Sequence, residues 1–182
     1  EIGKTFYKKG EKYGEENGIA GLMTGNYYLG IEKKQVDFYI IKGIVEELLD
    51  YLGYGGRYSF IVKEEMPKEL HPGQSALISV NNDVIGIIGK VHPQKIKENI
   101  YVFEINLEKL LAKKVGKMKY KELSKYPSVK KDLAVIINKN VTAQEIATLI
   151  KKSAGSLLLN TEVFDVYTGK GIEENKKSIA YS

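Results

Sequence analysis

The sequence predicts an α+β fold in two successive parts, on three observations. Residues 75–91 are rich in β-branched side chains on either side of a polar Asn81-Asn82-Asp83 turn, the signature of a β-hairpin. Residues 36–52 carry apolar side chains at helical spacing. Beyond Tyr126-Pro127 the order becomes strand, helix, strand, turn, strand.

Along the first part, Glu1-Ile2-Gly3-Lys4-Thr5-Phe6 reads as a strand. Gly18 to Gly25 is small and apolar enough for a buried strand, and Gly25-Asn26 ends it. In the helix, Phe38, Ile41, Val45, Leu48, Leu49 and Leu52 fall on one stripe, with Gly53 as its stop. Tyr58 to Lys63 returns to strand character. The hairpin follows as Ser75 to Val80 and Val84 to Val91. Tyr101 to Leu107 is another strand, running into a short helix near Glu108 to Lys114. The lysine-rich stretch Lys113 to Lys121 reads as a connection between domains or as a solvated turn inside one. Taken as a connection, it divides the chain into residues 1–120 and 121–182.

In the second part, Asp132 to Ile137 is a strand. Thr142 and Glu145 have capping-box spacing, the hydroxyl reaching the Glu145 amide and the carboxylate reaching back. Ile146, Leu149 and Ile150 form the buried stripe of the helix that follows. Leu157 to Tyr167 is a second strand, Thr168 to Gly171 a glycine turn, and Lys176 onward a third strand. This is the first part of a split βαβ, ferredoxin-like unit, without its final helix and strand. The chain has no initiator Met and stops inside an apparent strand, so it reads as an excised piece.

Composition excludes more than it assigns. With 43% hydrophobic and 28% charged residues the chain has the balance of a globular protein. It has no cysteine, which removes disulfides and thiolate metal sites and favours an intracellular setting. No apolar run approaches the roughly 20 residues of a membrane helix. The net charge is +5, yet Arg57 is the only arginine, so any nucleic-acid contact relies on lysine charge, backbone groups and stacking rather than on the guanidinium fork.

Catalytic patterns are weak throughout. The two histidines each precede proline, in His71-Pro72-Gly73 and His92-Pro93, with no carboxylate or cysteine at ligand spacing, so no metal site is expected. Gly169-Lys170-Gly171 joins two strands and lacks the longer frame of a phosphate loop. Adjacent acids such as Glu46-Glu47 and Glu173-Glu174 point apart and make a poor acid/base couple.

The last strands carry a better clue. Alternation puts Leu133, Val135 and Ile137 on one face and Asp132, Ala134 and Ile136 on the other. Phe164 and Val166 then face the helix, leaving Val163, Asp165 and Tyr167 opposite. One helix-free face gathers Ala134, Tyr167, Ser178 and Ala180, with Lys131, Lys170 and Lys176 at its rim. Small residues beside an exposed ring make a platform for an unstacked base, with a hydroxyl for the base edge. A solvated face, or one covered by another domain, has the same pattern.

Tyr126-Pro-Ser-Val-Lys-Lys-Asp-Leu-Ala-Val-Ile-Ile137, Phe164-Asp-Val-Tyr-Thr-Gly-Lys-Gly171 and Lys177-Ser-Ile-Ala180 together resemble the ferredoxin-fold anticodon-binding domain of phenylalanyl-tRNA synthetase β subunits. Glu1-Ile-Gly3, Leu70-His-Pro-Gly-Gln-Ser75 and Ile85-Gly-Ile-Ile-Gly-Lys-Val-His-Pro93 are similar to that subunit's catalytic-like module. The resemblance covers essentially the whole chain. It departs mildly at Lys131-Asp132, where the family usually has Arg-Asp.

The resemblance implies a class II synthetase-like antiparallel sheet module followed by a truncated ferredoxin-like domain. It implies a cytoplasmic α₂β₂ enzyme that charges tRNA with phenylalanine, using ATP and magnesium. The partners implied are the α subunit, which holds the active site, and the tRNA for phenylalanine; a membrane is not among them. The chain itself is then expected to carry no catalytic residue, metal or cofactor. Phe103-Glu-Ile-Asn-Leu-Glu-Lys-Leu110 agrees, having Asn106 where a glycine belongs and Lys109 where an arginine belongs. Anticodon contacts carried over from the family fall on Tyr167 as stacking ring, Ser178 as hydroxyl and Ala134 as close-packed backbone. The rival readings are an enzyme with a pocket around His71 and His92, and a stand-alone protein-interaction module.

Overall fold

The computed structural model describes residues 1–63, 65–115 and 125–182, and the chain divides into two compact units, Glu1–Tyr120 and Lys121–Ser182. Residues 116–121 of the lysine-rich stretch lie outside the described residues.

The first unit opens with β1 (Ile2–Lys9) and β2 (Lys12–Thr24), an antiparallel hairpin turned at Gly10, whose φ of 64° suits a residue without a Cβ. β3 (Asn26–Leu29) and β4 (Glu32–Gln35) form a separate small hairpin. Then come α1 (Phe38–Tyr51), β5 (Tyr58–Ile61), β6 (Leu70–Val80), β7 (Asp83–Val91), β8 (Ile100–Asn106) and α2 (Leu107–Leu111). Six strands make one sheet in the order β1-β2-β8-β7-β6-β5, with every neighbouring pair antiparallel.

The helix α1 starts where Asp37 accepts from the Ile40 amide at 2.8 Å. Its stripe of Ile41, Val45 and Leu49 is fully buried, together with Ile78, Ile88 and Ile105 from β6, β7 and β8. Burial of each such side chain contributes about 1.5–3 kcal/mol. At the tip of the β6–β7 hairpin, Asn81 and Asn82 take φ of 51° and 69°, the two left-handed positions of a tight turn that twists with its strands. Asp83 already belongs to β7, one residue earlier than alternation suggested.

Two regions differ from the sequence reading. The strand expected at 18–25 is the second half of β2, and it is half-buried rather than buried. Every residue of β1 is exposed, so this hairpin has little apolar face to betray it. The strands β3 and β4, four residues each, have no apolar alternation either.

The second unit consists of β9 (Leu133–Asn138), α3 (Ala143–Ala154), a 3-10 turn at Gly155–Leu157, β10 (Val163–Tyr167) and β11 (Lys176–Tyr181). The sheet order is β10-β11-β9, antiparallel throughout, so β9 and β10 run the same way with β11 between them. A helix joining two such strands is the split βαβ arrangement of a small ferredoxin-like domain. The second strand is shorter than expected: Leu157 ends the 3-10 turn, and pairing begins only at Val163. The Thr142–Glu145 capping box is formed, with the Thr142 amide donating to Glu145 Oε2 at 2.6 Å and the Glu145 amide to Thr142 Oγ1 at 3.2 Å.

Candidate nucleic-acid interface

The register of the three-stranded sheet sorts its side chains into two faces. One face carries Ile179 and Tyr181, both buried, and the Tyr181 hydroxyl donates to the Ala143 carbonyl at 2.9 Å. That bond ties the middle strand to the first turn of α3. Burial pushes the Tyr181 phenol above its ordinary pKa, so it stays a neutral donor.

The opposite face is a set of cross-strand rows. Asp165, Ala180 and Ala134 oppose one another in the first row, and Tyr167, Ser178 and Ile136 in the second. Lys176 and Asn138 make the third. Tyr167, Ser178 and Ala134 therefore share one face on three adjacent strands. Tyr167 is 47% exposed, and Ala134 is exposed beside a half-buried Ala180. Ser178 is half-buried, and its hydroxyl has no hydrogen-bond partner among the described residues. An open ring next to two alanines and a free hydroxyl can stack a base and bond to its edge.

Tyr167 is also held from below. Its hydroxyl donates to the Lys170 carbonyl at 3.2 Å, and its ring lies over Gly169. The Thr168–Gly171 turn is thus the seat of the ring as well as a connection.

The rim lysines are not equivalent. Lys131 is exposed in the extended segment before β9, and Lys170 is exposed in the turn. Lys176 is engaged, its ammonium 2.7 Å from Glu173. Sequence reasoning gave no role to Ile136, 62% exposed in the same row as Tyr167, nor to Asn138 beyond it. Asn138 also lines an open hollow of about 390 Å³ with Lys139, Asn140 and Asn175. Asp165 adds an acceptor that can take a base's N–H donors. Val163 sits on the helix side, paired with Tyr181, because a bulge between Val163 and Asp165 shifts the alternation.

In the first unit, an open groove of about 620 Å³ lies over β2, β8 and β7. Glu1, Glu69 and Glu104 line it together with apolar residues such as Leu22, Ile87 and Val102, and no cationic side chain is among them. Arg57 lies elsewhere: its guanidinium donates to the Gly53 carbonyl at 2.7 Å and the Lys114 carbonyl at 2.9 Å. Asn106 caps α2 by accepting from the Lys109 amide at 2.8 Å, and its own amide group donates to Glu16. Glu108 receives the Asn17 amide at 2.7 Å, and that backbone bond is the main cause holding its carboxyl below the usual range. Asn106 and Glu108 are thus committed to capping α2 and to bonding β2. Among the described residues no group of three or more His, Cys, Asp or Glu side chains is placed to hold a metal ion, and no helix is long and apolar enough to cross a membrane.

Both units have matches among known proteins. A family model described as the phenylalanyl tRNA synthetase beta chain CLM domain matches residues 1–107, and one described as the ferredoxin-fold anticodon binding domain matches residues 124–182. The chain is similar to the phenylalanine–tRNA ligase beta subunits of Bacillus subtilis, 43% identical over 191 aligned positions, and Listeria monocytogenes, 37% over 192. That of Lactiplantibacillus plantarum is 38% identical over 192. In each case all of the chain is covered and 24% of the relative, so the chain spans about a quarter of the length of these curated relatives.

Proposed function

The chain belongs to the phenylalanyl-tRNA synthetase β-chain family, and on that premise we propose that it reads the anticodon of the phenylalanine tRNA and scaffolds the ligase without performing its chemistry. The observation that carries the reading is the shared face of Tyr167, Ser178 and Ala134, open on a sheet whose other face carries the buried Ile179 and Tyr181. Tyr167 stacks the base, Ser178 bonds to its edge, and the alanines let it approach the strands closely. Lys131 and Lys170 supply charge for flanking phosphates, and Lys176 joins them when it leaves Glu173.

The whole enzyme, in this reading, is a cytoplasmic α₂β₂ ligase that uses ATP and magnesium at an active site in the α subunit. Residues 1–120 form a class II synthetase-like module that packs against that subunit. The groove over β2, β8 and β7 does not fit a triphosphate, because three carboxylates line it and the sole arginine is bonded to backbone carbonyls. Without a cationic clamp, an adenylation site gains little rate enhancement. The second unit, residues 121–182, is the anticodon binder.

Fluorescence anisotropy with the anticodon stem–loop of the phenylalanine tRNA, against a scrambled loop at two salt concentrations, tests the reading. Loop-selective binding that weakens in Tyr167→Ala is the expected outcome. Equal and strongly salt-dependent binding to both loops reduces the face to a general lysine-driven surface. No binding to either sinks the anticodon reading and favours a face covered by protein, as in a stand-alone interaction module.

A further inference from the structure

The only two histidines, far apart in sequence, come together in the fold. His71 lies near the start of β6 and His92 just after β7, and their rings stack with centroids 6.2 Å apart and planes inclined by 27°. The Glu69 carbonyl accepts from the His92 amide at 2.7 Å, fastening the two segments side by side.

Each ring is locked by the same local device. The Gly73 amide donates to His71 Nδ1 at 3.0 Å, and the Gln94 amide donates to His92 Nδ1 at 3.2 Å. A backbone N–H can only donate, so each Nδ1 is an unprotonated acceptor. The neutral imidazole then carries its proton on Nε2. A metal-binding imidazole usually does the reverse, donating from one nitrogen and offering the other's lone pair to the metal. The pair therefore presents two N–H donors, and neither has a partner among the described residues. Both histidines are half-buried. Lys68, Lys90, Lys95 and Lys97 flank them in the chain, none in an ion pair among the described residues. Glu69 and Glu98 are the nearby acids in sequence.

We propose that His71 and His92 form a phosphate-binding site, in which the two Nε2–H groups donate to oxygens of one phosphate group. A phosphate offers several acceptor oxygens, which suits two separate donors better than a single carbonyl does. The site belongs to the first unit, whereas the anticodon face belongs to the second. It takes a free phosphate or one in a polynucleotide backbone, which share the same oxygens.

The test is long-range proton–nitrogen NMR on the histidine-labelled chain near neutral pH, titrated with inorganic phosphate or with chloride at equal ionic strength. Both rings are expected as Nε2–H tautomers, and both Nε2 signals move saturably with phosphate and not with chloride. The double variant His71→Asn, His92→Asn keeps an acceptor for the Gly73 and Gln94 amides and removes both ε donors. It should keep the fold and bind phosphate at least about tenfold more weakly. A single-stranded RNA lacking terminal phosphates separates the sources: response at lower concentration than phosphate assigns the site to a polynucleotide, and response to phosphate alone assigns it to the free ion. Nδ1–H tautomers, Nε2 signals that do not respond to phosphate, or an unchanged response in the double variant would overturn the proposal.

Discussion

The ring of Tyr167 rests on Gly169: a β-carbon at 169 would stand 2.5 Å from the tyrosine Oη and 2.6 Å from its Cζ. The platform therefore depends on a residue two positions along that presents no side chain. Gly169→Ala is expected to push the ring off its seat and lower anticodon-loop affinity toward that of Tyr167→Ala, by about 1–3 kcal/mol. Tyr167→Phe keeps the ring and loses only the bond to Lys170, so it should retain most of the affinity. Anisotropy titrations, with thermal unfolding to verify that each variant is folded, distinguish the two.

Arg57 is held by geometry more than by charge. It bridges the carbonyls of Gly53 and Lys114 with two different nitrogens, an arrangement a single ammonium does not reproduce. Arg57→Lys should lower the unfolding midpoint of the first unit, with a loss of about 1 kcal/mol, and leave RNA binding by the second unit unchanged. Denaturant titration and anisotropy on the same sample check both halves.

Two neighbouring positions in the sheet should respond in opposite directions. A β-carbon at Gly86 would sit 2.2 Å from the Glu104 carbonyl oxygen, which is backbone and cannot swing aside. Gly86→Ala should separate β7 from β8 and cost about 1–3 kcal/mol or more. Ser79 is 1% exposed and its hydroxyl has no partner, so Ser79→Ala should be neutral or stabilising by up to about 1 kcal/mol. Urea midpoints for the two variants should bracket the parent.

The Thr142 amide and hydroxyl hold the Glu145 carboxyl below its usual pKa. A group depressed in the folded state stabilises above its unfolded pKa, and that contribution fades as pH falls through the folded value. The parent should therefore exceed Glu145→Gln in stability at neutral pH and converge with it in the acidic carboxylate range. Unfolding midpoints across a pH series read this directly; a gap that persisted at low pH would contradict it.

The parts of the fold legible in sequence were those that bury a patterned face. The stripe of α1 and the hairpin around Asn81-Asn82 express local rules that packing reinforces, whereas the Thr142 cap is local chemistry on a helix that buries no residue, with Leu149 of its expected buried stripe 58% exposed. The β1–β2 hairpin was half legible, since strand periodicity fails where neither face meets a core. On the platform, alternation placed Tyr167, Ser178 and Ala134 together because β9 and β11 pair without interruption and β10 is regular from Asp165 onward. It misplaced Val163 because a bulge adds a residue that no composition signal marks. The Glu173 contact to Lys176 was hidden for a different reason: a turn decides it, not the strand.

The half-legible β1–β2 hairpin also sets one margin of the six-stranded sheet. β1 is the outermost strand of its sheet, and its outward-pointing backbone groups are available to a stranger's strand. Ile2 and Phe6, 68% and 76% exposed, add apolar surface to that edge, while Lys8 and Lys9 repel a like-charged approach and Lys4 is paired with Glu15. Repulsion of this kind fades once the screening length drops below about 10 Å, near 0.1 M salt. Self-association through this margin is then expected to rise with salt, carried by a strand with no buried residue of its own.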